Sequence, residues 1–177
     1  WDIIVVGGGI TGAGIFNMAA QEGLNVLLLE ARDFAFGTSS RSSKLIHGGI
    51  RYLKNRQFDV VRESVKERER LIKETDGLVD PMAFIFPSYQ HNQYDTKMMK
   101  LGVIAYDLMV PKWEHRTLTS KQVKQALPTL QNGQLVGGVR YVDSTMDDSQ
   151  LVLRVIMDGI RFGGSALNYA RVIDFCK

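Results

Sequence analysis

Cysteine is nearly missing from this chain: its 177 residues contain one, Cys176. No internal disulfide can form, so a buried core must hold the fold, and the usage fits a reducing compartment. Acid is missing between Phe34 and Phe58, where Arg41, Lys44, Arg51, Lys54 and Arg56 stand unopposed. That segment carries +5, while 22 Lys+Arg against 19 Asp+Glu give +3 for the whole chain, so the remainder sums to −2. The basic balance is one local cluster, which favours a focused anion site over a nucleic-acid surface; no nucleic-acid partner is expected. Charge is missing from Ile3 to Gln21, nineteen positions, about the span of a bilayer. Gly7, Gly8, Gly9, Gly12 and Gly14 with Thr11, Asn17 and Gln21 argue against a span, and the basic flank and small-residue cleavage site of a secretory signal are absent. The expected location is the cytoplasm or the face of its membrane. No repeat or low-complexity linker occurs, and 45 % hydrophobic with 23 % charged residues excludes disorder, collagen and coiled coil. What stands out is glycine, at 17 residues.

The β-branched run from Asp2 to Val6 reads as a buried strand stopped by glycines. Residues 12–22 read as a helix with Ile15, Met18 and Ala19 on its apolar face and Gly23 as its stop. Residues 25–30 read as a second strand, so the two make a parallel βαβ unit. A helix is expected over 57–75, with Phe58, Val61, Val65 and Ile72 inside and a Glu69–Lys73 pair outside. Met82 to Phe86, bounded by Pro81 and Pro87, reads as a strand or edge segment. Met98 to Val110 is apolar on nearly all sides and too short to span a bilayer; a buried helix is one reading, a membrane or partner surface the other. Thr119 and Gln122 form a capping box for a helix closed by Pro128. Strand and turn are expected over 135–142, a helix over 148–162 with Leu151, Val152, Val155, Ile156 and Ile160 inside and Gly163–Gly164 as its end, and a further strand over 168–175.

Gly7, Gly9 and Gly12 form G-x-G-x-x-G between the first strand and first helix, and Glu30 ends the second strand eighteen residues later. This context makes the motif a dinucleotide fingerprint: Gly7 permits the tight turn, Gly9 admits a pyrophosphate and Gly12 lets helix and strand pack closely. Phosphates are then favoured by the free N–H groups and dipole at the helix N-terminus. A carboxylate at Glu30 accepts from ribose hydroxyls and repels a 2′-phosphate, which disfavours NADP but does not separate FAD from NAD.

Directly after that strand comes GTSSRSSKLIHGGIRYL, Gly37 to Leu53, at the carboxyl edge where ligands bind in such sheets. Ser39 and Ser40 can donate to phosphate or ribityl oxygens, Gly48–Gly49 lets main chain approach a flat ring, and Arg51 can grip a phosphate through two parallel bonds. His47 is either a proton acceptor or a structural histidine beside the cofactor. His91 and His115 receive no role. No metal-ligand spacing occurs, so no metal is expected, and there is no G-x-S-x-G nucleophile elbow.

GGGITGAGI at Gly7 to Ile15, LLLEARDFAFGTSSRSSKLIHGGIRYL at Leu27 to Leu53, and GGVRYVDSTMDDSQLVLRVIMDGIRFGGSALNYARV further along resemble the FAD-dependent glycerol-3-phosphate dehydrogenase family, including its related oxidases. The resemblance covers essentially the whole chain. It implies an α/β, Rossmann-like FAD-binding fold of the glutathione-reductase and D-amino-acid-oxidase type, with part of a substrate domain inserted. The expected division is a FAD-binding βαβ unit and flavin loop at 1–80, the start of the substrate insertion at 81–145, and a return to the FAD domain at 146–177. Family members run longer, so the resemblance implies an N-terminal portion without the C-terminal half. It implies oxidation of sn-glycerol 3-phosphate to dihydroxyacetone phosphate by hydride transfer to FAD, with quinone or oxygen as acceptor, peripheral membrane contact and a homodimer. The implied cofactor contacts are Gly7, Gly8, Gly9, Thr11, Gly12, Glu30, Ala31, Arg32, Thr38, Ser39, Ser40, Lys44, Leu45, His47 and Gly48. Arg51 and Tyr52 would bind substrate, with His47 and Arg51 serving catalysis. The rival readings are a flavin oxidase of the amine or hydroxy-acid type and a non-catalytic nucleotide-binding module.

Overall fold

A computed structural model describes residues 1–46, 57–75, 77–92, 101, 104, 115–130 and 133–175. The chain divides into two compact units: Trp1–Lys44 with Met146–Lys177, and, inserted between them in sequence, Leu45–Thr145.

In the first unit, β1 (Ile3–Val6) leads through a glycine turn into α1 (Ile10–Gln21) and then β2 (Val26–Leu29). Ile3 pairs with Val26 and Val6 with Leu29 in parallel register. After the insertion, α4 (Asp148–Arg161) leads to β7 (Ser165–Leu167), which lies parallel to β2 with Leu27 opposite Ser165. The sheet order is β1-β2-β7, a Rossmann-like parallel sheet. Val5, Phe16, Val26, Leu28, Val152 and Ile156 make its core, with α1 and α4 packed together. Alternate residues Ile4, Val6 and Leu167 are exposed, although parallel sheets of this type are ordinarily covered on both faces.

The phase of α1 differs from the expectation. Its buried residues are Ala13, Phe16, Ala19 and Ala20, whereas Ile15 is exposed and Met18 is 69 % exposed. The helix approaches so closely that small residues are needed at the contact: a Cβ on Gly12 would lie 1.9 Å from the Gly7 carbonyl oxygen. Ile15 and Met18 cannot occupy that seam, and Phe16 fills the space beside it. Phe16 in turn needs glycines on α4, since a Cβ on Gly159 would sit 2.5 Å from its ring.

The second unit holds β3 (Leu45–Ile46), α2 (Phe58–Glu74), β4 (Val79–Tyr89), β5 (Arg116–Thr119), α3 (Ser120–Ala126) and β6 (Leu135–Met146), which ends one residue beyond it. The sheet runs β3-β6-β4, and β5 also pairs with β6. Val61 and Val65 of α2 are buried as expected. Glu69 accepts from its neighbour Arg68 at 2.8 Å rather than pairing with Lys73, because the Arg68 guanidinium is drawn inward to Asp143 at 3.3 Å. β4 extends well past the expected 82–86, through Pro81 and Pro87. Among the described residues it stands at the end of the sheet order, a position where proline is tolerated. The Thr119–Gln122 capping box is present in full.

Ile160 of α4 is exposed, against expectation. The final strand sits at 165–167, not 168–175; the chain after it is tied to the β2 exit by Tyr169 N–H to Arg32 O and Ala170 N–H to Glu30 O. Of Met98–Val110, only Leu101 and Ile104 lie within the described residues; both are helical, and Leu101 is 62 % exposed, which a buried helix does not predict.

Candidate cofactor site

The glycine turn joins the carboxyl ends of β1 and β2. Gly7 takes φ 110°, open to glycine at little cost, and its N–H donates to Leu29 O at 2.8 Å. Gly8 N–H donates to Glu30 Oε2 at 2.7 Å, and Arg32 N–H donates to Glu30 Oε1 at 2.7 Å. The acid at the end of β2 thus braces both the turn before α1 and the turn after β2. Each carboxylate oxygen retains further acceptor capacity for a hydroxyl.

Gly9 is the N-cap of α1, without a side chain to cap it, and no acid stands in the first turn. The hydroxyl of Ser39 arrives from the loop after β2 and accepts from Ile10 N–H at 3.0 Å. A Cβ on Gly9 would meet that hydroxyl at 3.1 Å and one on Gly8 would meet the Phe34 ring at 2.7 Å, so the loop lies close over the turn. Ser40 donates to Phe36 O and Gly37 O, each at 3.3 Å, which closes the short helix Thr38–Ser40 on itself. The guanidinium groups of Arg32 and Arg41 stand 4.4 and 4.6 Å from the Phe36 ring centre. Arg41 also donates to Phe36 O.

Lys44 departs from a simple phosphate ligand: its ammonium pairs with Asp148 Oδ1 at 2.5 Å. Ser42 Oγ donates to Asp148 Oδ2 at 2.9 Å. Asp148 is 4 % exposed, and its hydrogen bond from Lys44, helped by those from Ser42 against the cost of burial, lowers its pKa to about 2. Asp148 carried no signal in the sequence beyond an acid in the first turn of a helix; its link to Ser42 spans 106 residues.

The structure therefore brings together Gly7, Gly8, Gly9, Gly12, Glu30, Arg32, Ser39 and Ser40 at one edge of the first unit. Thr11 lies in the first turn of α1, Ala31 follows Glu30, and Thr38 opens the short helix. Leu45 belongs to the second unit, opposite Thr145. His47, Gly48, Arg51 and Tyr52 lie outside the described residues. Among the described residues no cluster of His, Cys, Asp or Glu could hold a metal, and no helix is long and apolar enough to cross a membrane.

A helix N-terminus with no acid, a glycine turn open to close approach, a carboxylate that bridges the turns after β1 and β2, and two nearby arginines suit the pyrophosphate and adenosine of a dinucleotide. The chain belongs to the FAD dependent oxidoreductase family, whose sequence pattern matches residues 2–177; the cofactor of this family is FAD, and its members are oxidoreductases.

Within that class, the chain is similar to glycerol-3-phosphate dehydrogenases. The chain is 39 % identical over 180 residues to the aerobic glycerol-3-phosphate dehydrogenase of Staphylococcus haemolyticus (strain JCSC1435), covering 99 % of this chain and 32 % of that protein. It is 37 % identical over 175 residues to that of Bacillus subtilis (strain 168), covering 97 % and 32 %. Among solved structures, the Bacillus halodurans glycerol-3-phosphate dehydrogenase complexed with FAD superimposes with a TM-score of 0.73 at 31 % identity, covering 99 % of this chain and 28 % of that one. The chain thus spans about a third of the length of these relatives. The L-proline dehydrogenase of P. horikoshii shares the fold alone, at 22 % identity and a TM-score of 0.72.

Proposed function

We propose that this chain is the FAD-holding part of an enzyme that oxidises sn-glycerol 3-phosphate to dihydroxyacetone phosphate. The observation that carries the reading is the Gly8–Glu30–Arg32 brace beside an uncapped α1, in a chain 31–40 % identical to glycerol-3-phosphate dehydrogenases. The amine-oxidising enzymes share its fold at 22 % identity or less, which favours the phosphate-bearing alcohol over the amine or hydroxy acid.

In this reading the turn of Gly7, Gly8, Gly9 and Gly12 lets the pyrophosphate reach the first N–H groups of α1. Glu30 accepts from the adenosine ribose, with Thr11, Ala31 and Arg32 around it. Thr38, Ser39 and Ser40 present hydroxyls to the middle of the cofactor, and Lys44, Leu45, His47 and Gly48 follow along it. FAD, when bound, supplies a two-electron acceptor for the C2 hydride. Arg51, helped by Tyr52, holds the substrate phosphate, and His47 takes the C2 hydroxyl proton. Residues 1–80 and 146–177 would belong to the FAD domain, and residues 81–145 would be the start of the substrate domain. Electrons leave for quinone or oxygen. Peripheral membrane contact and a homodimer complete the proposal; the apolar stretch Met98–Val110, with Leu101 and Ile104 exposed, supports the former.

The test is anaerobic mixing of the natural full-length chain with glycerol 3-phosphate while flavin absorbance is followed, then addition of oxygen or a quinone. Bleaching by glycerol 3-phosphate and recovery with one acceptor are expected. Bleaching by an amino acid or hydroxy acid in its place overturns the substrate, and purification without flavin overturns the whole reading. Pelleting with lipid vesicles tests the membrane contact, and sedimentation velocity the homodimer.

A further inference from the structure

The loop that follows β2 is fastened at its far end to a helix more than a hundred residues away. Unit one leaves its first segment at Lys44 and resumes at Met146, and Met146 N–H donates to Lys44 O at 2.9 Å. Lys44 adopts φ 56°, a left-handed conformation that a lysine takes only when its surroundings hold it there. Two residues after Met146, at the first residue of α4, Asp148 receives the rest of the loop: Lys44 Nζ on Oδ1 at 2.5 Å and Ser42 Oγ on Oδ2 at 2.9 Å, with Ser42 N–H at 3.4 Å. Lys44 N–H in turn donates to Ser42 Oγ at 3.0 Å. Asp148 also accepts from its neighbour Ser149 N–H at 3.0 Å, so both oxygens are occupied.

The other ion pairs of α4 are of a different kind. Arg154 and Arg161 pair with Asp158 along the helix surface, within three or four residues, and fasten nothing else. Asp148 is buried and spans two segments of chain. The N-cap of its helix is its neighbour Asp147, which accepts from Gln150 N–H at 3.1 Å.

The fastened loop carries Ser39, whose side chain reaches α1's N-terminus. Ser39 accepts from Ile10 N–H at 3.0 Å, and the short helix Thr38–Ser40 packs against α4. Arg41 N–H donates to Thr38 O at 3.0 Å, which joins that short helix to Ser42 by one residue. Asp148, Ser42, the short helix and Ser39 thus form one continuous mechanical path from α4 to the phosphate turn.

We propose that Asp148 is a positioning residue for the cofactor: by anchoring Ser42 and Lys44 to α4, it holds the hydroxyl loop 37–44 where Ser39 and Ser40 meet the bound dinucleotide. The role rests on the reading that this turn holds FAD. Asp148 itself touches no cofactor; it acts through Ser42 and Lys44.

The experiment uses the natural full-length holoprotein, stripped of flavin and titrated with FAD, and compares Asp148→Asn, Ser42→Ala and Asp158→Asn. Loss of one charge-assisted hydrogen bond on the path is expected to raise the FAD dissociation constant about tenfold in Asp148→Asn. Asp158→Asn, which breaks two ion pairs on the same helix, is expected to bind FAD as the parent does. Trypsin cleavage after Arg41 or Lys44 is expected to accelerate in Asp148→Asn whether or not FAD is added. If Asp148→Asn fails to fold, Ser42→Ala decides: it leaves the Lys44–Asp148 pair intact, and a several-fold weaker FAD affinity is expected. Parent-like FAD affinity in a folded Asp148→Asn or Ser42→Ala overturns the positioning role, even where the melting temperature falls. A parent protein that takes up no FAD overturns the underlying reading, and the trypsin comparison then still reports whether Asp148 anchors the loop.

Discussion

The N–H of Gly8 donates to Oε2 of Glu30 at 2.7 Å, so the acid that ends β2 is part of the turn that ends β1. Removing it affects both turns. In Glu30→Gln one amide oxygen replaces two carboxylate oxygens, and the NH₂ group faces an N–H that it cannot accept. A destabilisation of roughly 1–3 kcal/mol is expected from the lost charge-assisted bond, together with weaker FAD binding. Chemical denaturation and FAD titration of the full-length chain measure the two effects.

Gly12 and Gly14 lie on the same helix and make opposite predictions. A Cβ at Gly12 collides with Gly7 O at 1.9 Å, whereas one at Gly14 meets nothing within 4 Å. Gly12→Ala is expected to cost at least the roughly 1–3 kcal/mol of overpacking, because backbone must move. Gly14→Ala is expected to stabilise by roughly 0.5–1 kcal/mol through helix propensity. Equal unfolding midpoints for the two variants would contradict the close packing of α1 on β1.

Gly159 and Phe16 are coupled across the α1–α4 contact. A Cβ at Gly159 would sit 2.5 Å from Phe16 Cε1 and 3.1 Å from Asn17 Cα. Gly159→Ala is expected to destabilise by roughly 1–3 kcal/mol. Phe16→Leu destabilises by itself, but the double variant is expected to lose less than the sum, since the shorter side chain vacates the clash. Additive losses in a denaturation cycle would count against the contact.

Asp148 sets an acid limb of stability. Its pKa in the fold is about 2, below the ordinary 3.8, chiefly through the hydrogen bond from Lys44. A group held below its unfolded value contributes stability that is fully present above that value and is lost as pH falls through the folded one. The contribution is therefore expected to be constant above roughly pH 4 and to fade towards pH 2. Asp148→Asn is expected to flatten this part of the stability profile, measured by urea unfolding across that range.

Arg51 stands in the acid-free stretch of the sequence and is proposed to hold the substrate phosphate. Arg51→Met in the full-length enzyme is expected to raise KM for glycerol 3-phosphate with flavin content unchanged. An unaltered KM removes that assignment.

Much of the cofactor edge was legible in the sequence because it is built from neighbours in the chain. The β1 run, the glycine spacing, the β2 run and Glu30 lie within thirty residues, and their conformations follow from local sterics: a strand that must stop at glycine, a helix that starts there, a parallel partner that must follow. The Thr119–Gln122 cap and the α4 face, apart from the exposed Ile160, were legible for the same reason. The apolar face of α1 was not, since size decided it: the seam against β1 and α4 admits alanine, glycine and one phenylalanine, and hydrophobicity alone selects Ile15 and Met18. The limits of β4 were misjudged because proline ends a central strand but not an edge one, and edge position is a property of the sheet. The strand after α4 was placed three residues late, since Ser165 and Leu167 read as strand only once β2 is beside them.

By itself the sequence determined a dinucleotide turn, the acid beside it, a cationic hydroxyl-rich loop and an oxidoreductase family. Tertiary structure decided what those parts do to one another. It gave both Glu30 oxygens to backbone N–H groups, put Ser39 on α1 and turned Lys44 towards Asp148. The physical reason is that a buried charge must find its partners wherever the chain crosses, and 104 residues of separation between Lys44 and Asp148 leave no periodicity from which that crossing can be read.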